Sequence, residues 1–220
     1  MHYSTDLMDH GMRHDPLKAL VVPRPIGWIS TVSQDGILNL APYSFFNAVA
    51  SRPPYVMFSS AGVKDSARNA SETGAFVCSL ATWELKDHMN ISSAPVPPEA
   101  DEFPIAGLTA VKSQKVAPPR VGESPAALEC EYWRTVEIPG PDGTPADYVV
   151  FGKVVSVFID DQYIREGRVD TGAMAPIARL GYMDYAVVRP DTLFTINRPK
   201  VDDEGKVTSP TAEVWDGTYR

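Results

Sequence analysis

Arg24-Pro25-Ile26-Gly27-Trp28-Ile29-Ser30-Thr31-Val32-Ser33-Gln34-Asp35-Gly36-Ile37-Leu38-Asn39-Leu40-Ala41-Pro42-Tyr43-Ser44-Phe45-Phe46-Asn47 is the stretch whose reading decides the fold. Ile26 to Val32 is dense in β-branched and aromatic residues and reads as a strand. Gln34-Asp35-Gly36 supplies residues that tolerate positive φ, so the chain turns back as a hairpin. After Leu40 the alternation stops, and Pro42 has no amide proton to give a ladder, which excludes a regular central strand. From Asn39 to Asn47 the chain is expected to bend instead. Backbone amides, the Ser44 hydroxyl, the Asn47 carboxamide and two phenylalanines then meet at one place, which suits a flat ligand with a polar edge.

Working outward, Pro53-Pro54 breaks the chain and Tyr55 to Ser60 reads as a buried strand ending in hydroxyls. Asp65 reads as the N-cap of a short helix over 66–73, with Gly74 as its stop. Ala75 to Leu80 is a further strand, and Trp83 to Asn90 a second short helix, with His88 on a face given to ordinary packing or solvation. Ser92 to Phe103 carries Pro95, Pro97 and Pro98 and reads as a long loop. Strand-like stretches resume at 108–111, 126–136, 148–159, 185–188 and 193–196, and Pro139-Gly140-Pro141-Asp142-Gly143 makes a hairpin connection. Short strands, hairpin turns and a few brief helices favour a mainly β, antiparallel barrel over a βαβ sheet.

The quoted segment resembles the flavin reductase-like family with the FMN-binding split barrel. Four pieces carry the resemblance in the family's order: Pro23 to Trp28, Asn39 to Asn47, Lys64-Asp65-Ser66-Ala67-Arg68-Asn69, and Arg179-Leu180-Gly181-Tyr182. It spans about Pro16 to Arg198. It implies a Greek-key split barrel over residues 23–198, between a leader at 1–22 and a polar tail at 199–220. It also implies bound FMN, NADH or NADPH as electron donor, a homodimer with flavin near the subunit interface, and electron delivery to free flavin or a partner such as a monooxygenase.

The residues themselves support part of this. A helix starting near Asp65 presents free amides to an anion. Lys64 and Arg68 add charge there, and Ser59, Ser60 and Ser66 add hydroxyls. On residue types alone a phosphate site and an ordinary solvated helix start fit equally; the resemblance decides for the ribityl phosphate. The bend would serve an isoalloxazine ring through amides near Ala41 and Ser44, with Phe45 or Phe46 as walls. By resemblance, Thr31, Ser44 and Asn47 touch the flavin, as do Asn39, Asn69, Arg179 and Tyr182. Two positions depart from the family pattern. Tyr182 stands where relatives often carry a second glycine, and Phe158 where many carry a histidine.

Composition narrows the alternatives. The net charge of −8 over 220 residues has the wrong sign for a general nucleic-acid or anionic-membrane binder. No apolar run approaches membrane-spanning length, and no secretory leader is visible, so a cytoplasmic protein with reduced thiols is expected. Cys78 and Cys130 lie in apolar stretches and are expected in the core rather than in a disulfide. His10 and His14 would share a helical face near carboxylates, but Gly11 weakens that helix, and no metal is expected. Neither a GxGxxG after a strand nor a GxSxG is present; Gly167 and Gly172 have P-loop spacing without its lysine. No catalytic side chain is assigned, because flavin carries the hydride chemistry itself. Two readings besides the reductase stay open: a non-catalytic FMN carrier or store, and a flavin-free barrel.

Overall fold

A computed structural model describes residues 1–208 together with Trp215 and Gly217. Seven strands form one antiparallel sheet: β1 (Gly27–Val32), β2 (Leu38–Tyr43), β3 (Phe46–Ser51), β4 (Pro54–Ala61), β5 (Ala75–Leu80), β6 (Ala126–Pro139) and β7 (Pro145–Ile159), in the order β2-β1-β5-β6-β7-β4-β3. The two edges, β2 and β3, are consecutive in the chain and joined only by Ser44–Phe45. Two residues span no more than about 7 Å. The edges must therefore meet, and the sheet rolls into a barrel with a seam at that link, where the Ser59 amide donates to the Phe45 carbonyl at 2.8 Å.

Strand β1 is buried on both faces because the roll gives it two cores. Alternation sends Ile29 into the barrel with Phe58, Phe76, Cys130 and Val150. It sends Trp28 outward, under a cluster that includes Leu40, Met89, Phe103 and Val121. Close approach explains two glycines: a Cβ on Gly27 would meet the Phe46 ring at 2.4 Å, and one on Gly152 would meet Phe76 at 2.4 Å. Phe46 is thus core, not a ligand wall.

Several local expectations are corrected. The strand after the hairpin runs on through Pro42 to Tyr43, with Pro42 opposite Trp28. An edge strand tolerates proline because no second neighbour needs its missing donor. The bend shrinks accordingly from Asn39–Asn47 to Ser44–Phe45. The helix after β4, α2 (Asp65–Thr73), has Lys64 rather than Asp65 at its N-cap, and no side chain caps it. Gly74 closes it at φ 79° as expected, its amide donating to the Ala70 carbonyl. The second helix is α3 (Lys86–Ile91), and α4 (Glu102–Ile105) ends the proline-rich loop. Residues 193–196 form no strand; Phe194 and Ile196 are exposed there.

Before α2 in the chain lies another four-residue helix, Leu17–Leu20, so the leader is not loose at its end. It rests on Gly181, where a Cβ would meet Ala19 at 2.5 Å. His10 and His14 share no helix, and no metal-holding cluster exists among the described residues. Cys78 and Cys130 are buried free thiols, as expected, and burial pushes Cys78 up to about 12. Lys200–Val201 pairs with Val207–Thr208, while part of the expected polar tail lies outside the described residues. No helix among the described residues is long and apolar enough to cross a membrane.

Candidate functional site

The seam opens into a cavity of about 1060 Å³. Small-ligand sites usually run to about 300–1,000 Å³, so there is room for more than one flat molecule. Several regions of the chain wall it. The edge β2 and the bend contribute Asn39, Ala41, Tyr43, Ser44 and Phe45; β4 contributes Ser59; the start of α2 contributes Lys64, Asp65, Ser66 and Arg68. The loop at 92–98 forms a further wall, tied down where the Trp28 indole N–H donates to Ser92 Oγ at 2.9 Å. Arg179 and Tyr182 close the far side.

At the α2 start the first amides have no intrahelical acceptor and no side-chain cap, so they face the cavity as donors. Lys64 stands beside them free of any ion pair among the described residues, whereas Arg68 is paired with Asp65. This donor set fits a phosphate. Behind it, Asn39 Nδ2 donates to Ser66 Oγ at 2.9 Å and to Thr31 Oγ1 at 3.2 Å, and Asn69 Nδ2 donates to the same Thr31 oxygen at 3.2 Å.

The predicted residues therefore divide. Thr31 and Asn69 are buried behind the wall and do not line the cavity; they hold Asn39 in place. Ser60 is also buried outside it, its hydroxyl donating to the Gly62 carbonyl. Asn47 lies exposed on β3, accepting from the Ala48 amide, because the shortened bend leaves it one residue into a strand. Phe158 is capped by the Arg120 guanidinium at 3.7 Å and does not line the cavity either. Tyr182 does, more than half exposed and at φ 54°. That left-handed backbone is one that favours glycine over a side chain as large as tyrosine.

Sequence reasoning missed several ionisable groups in the wall: Lys18, Arg24, Tyr43, Glu102 and Asp147. Arg24 lay within the quoted motif, but nothing local marks it as cavity-facing. Glu102 Oε2 accepts the Leu40 amide at 2.9 Å. Burial raises its carboxyl above the ordinary glutamate range, Asp65 and Asp101 add to this, and the Leu40 hydrogen bond opposes it. The folded protein thus holds this proton more tightly than the unfolded chain does. The associated stability is fully present below the ordinary glutamate range and is lost as pH rises through the raised folded value. Glu102→Gln keeps an acceptor for Leu40 and removes that loss. Its melting temperature relative to the parent is expected to be higher at pH 8 than at pH 4; a difference independent of pH would refute this.

A β barrel split at one seam, with a phosphate-ready helix start and an aromatic-polar bend on the opening, defines the flavin reductase class of split barrels. Residues 19–183 match the flavin reductase like domain, and the chain belongs to that family. An uncharacterised protein of Halalkalibacterium halodurans is 34% identical over 206 residues, 91% of this chain and 98% of its own. The structure of nitrilotriacetate monooxygenase component B from Bacillus cereus superposes with a TM-score of 0.79 at 31% identity, over 85% of this chain and 95% of that one. The 2-nitrobenzoate 2-nitroreductase of Pseudomonas fluorescens shares the fold with a TM-score of 0.76 at 24% identity, over 99% of this chain and 100% of that one. Family membership places the chain among flavin-related oxidoreductases.

Proposed function

We propose that this protein is an FMN-dependent oxidoreductase that takes a hydride from NADH or NADPH and passes electrons to free flavin or to a partner protein. The observation that carries the reading is the uncapped α2 start, with Lys64 beside it, in the wall of a cavity whose other side is an aromatic-polar bend. Lys64, the Ser66 region and the α2 amides hold the ribityl phosphate. Ser44 and the amides near Ala41 meet the ring's polar edge, and Phe45 offers a face. When bound, the flavin supplies the two-electron chemistry. The remaining cavity volume admits the electron donor, and the 92–98 wall limits water.

A partner protein is in keeping with the similar structure's name, a monooxygenase component. A homodimer belongs to the same reading: β3 is an edge strand that leaves Val49 exposed, a surface that another chain can cover. One observation favours the carrier or store instead. Tyr182 lines the cavity with an exposed, bulky ring, which narrows the room left beside a bound flavin. The test is an absorbance spectrum after addition of FMN and desalting, repeated anaerobically with each nucleotide. Retained flavin that bleaches within seconds supports the reductase; retained flavin that neither nucleotide bleaches supports the carrier, and colourless protein refutes the carrier and leaves flavin as an exchanged substrate or the site lost.

A further inference from the structure

Away from the α2 residues in sequence, the cavity wall also holds three cations, Lys18, Arg24 and Arg179. Arg24 is only 7% exposed. Its guanidinium donates to the carbonyls of Lys18 and Val21, at 2.6 Å each, and of Leu180 at 2.8 Å, while Nε has no partner. Lys18 and Arg24 both approach the Phe45 ring, at 6.0 and 5.8 Å from its centroid. Arg179 donates to the Tyr185 hydroxyl and the Tyr182 carbonyl, and it lines both this cavity and a smaller cleft of about 300 Å³ beside Trp83. None of the three forms an ion pair with a described residue. A buried, uncompensated charge costs several kcal/mol unless something neutralises it. Burial, and then the like charge of Arg179, pull the Arg24 guanidinium below its ordinary value.

We propose that Lys18, Arg24 and Arg179 form a second phosphate site, for the nucleotide that exchanges electrons with the flavin held at α2. The inference rests on the function proposed above and assigns residues to its second ligand. The exposed faces of Phe45 and Tyr182 beside the three cations suit a molecule that joins an aromatic base to phosphate. Such phosphate comes either from the diphosphate of a nicotinamide dinucleotide or from a second FMN. The site is built by tertiary contact: the short helix at Leu17–Leu20 seated on Gly181 brings Lys18 beside Arg24.

Lys18→Glu is the direct variant, since Lys18 is exposed and its ammonium forms no ion pair with a described residue. Arg24→Lys, which keeps charge but loses the three-carbonyl fork, is the companion. NAD⁺, NADP⁺ and inorganic pyrophosphate are titrated calorimetrically into the parent and variants, with and without bound FMN, and first-equivalent FMN affinity is measured by fluorescence. The expected result is that Lys18→Glu weakens dinucleotide and pyrophosphate binding at least tenfold and changes first-equivalent FMN affinity less than twofold. If a second FMN is weakened and a second riboflavin is not, with dinucleotide unchanged, the site holds but its phosphate is the flavin acceptor's. Equal loss of first-equivalent FMN overturns the proposal by giving the cluster to the resident phosphate. Unchanged second-ligand binding in Lys18→Glu overturns it whether or not Arg24→Lys folds. Should the parent bind no FMN in the fluorescence titration, the function above fails, and pyrophosphate binding to parent and Lys18→Glu still decides the site.

Discussion

Lys64→Ala is expected to bind FMN about tenfold to a hundredfold more weakly than the parent and to melt at the same temperature. A charge-assisted hydrogen bond to phosphate is worth about 1.5–3 kcal/mol, and Lys64 makes no ion pair in the described structure whose loss would cost stability. The neighbouring Ser66→Ala should behave differently, although the sequence places both at the same helix start. Ser66 is buried and accepts from Asn39 Nδ2, so its removal leaves a buried amide with one acceptor fewer. That costs about 1–3 kcal/mol, or roughly 2–4 °C per kcal/mol for a chain of this size. Fluorescence titration and thermal melts of the two variants check the pair. Full FMN affinity in Lys64→Ala would remove the phosphate site from α2.

Trp28→Ala should be the most destabilising single change in the barrel's outer core, at about 3–5 kcal/mol. The indole is fully buried among Leu40, Leu85, Met89 and Phe103, and its N–H holds Ser92, whose hydroxyl in turn donates to the Met89 carbonyl. Loss of the ring therefore opens a cavity under the 92–98 wall and frees that wall at once. A drop of about 10 °C in melting temperature is expected, together with weaker flavin retention. Trp28→Phe isolates the second effect: it keeps most of the packing and removes only the donor to Ser92. A drop of less than about 4 °C in Trp28→Ala would show that the outer cluster repacks around the gap.

The barrel was legible because its signals are local. Ile26 to Val32 alternates its side chains between two cores, and Gln34-Asp35-Gly36 can turn. Gly74 can close a helix at a positive φ that other residues resist. The helix start at the proposed phosphate site was legible for the same reason, since Lys64 to Arg68 is one contiguous stretch. The misjudged residues failed at distances the sequence does not encode. Asn47 was placed on the cavity because the bend was read as nine residues; the edge position of β2, which lets Pro42 stay in a strand, shortens it to two. Thr31 and Asn69 were read as ligand contacts, yet the wall of Asn39 and Ser66 stands in front of them.

By itself, then, the sequence determined most of the strands, the hairpin, the helix start and the family, because periodicity, turn chemistry and motif order are properties of neighbouring residues. Tertiary structure alone decided what shares the cavity. Closing the sheet at Ser44–Phe45 brings Lys18, Arg24, Glu102 and Arg179 to one opening from positions far apart in the chain. Which face of each is open depends on how the leader packs on Gly181 and how Trp28 anchors the loop at Ser92. Those contacts arise from rolling a twisted sheet until its edges meet, and no stretch of neighbouring residues records them.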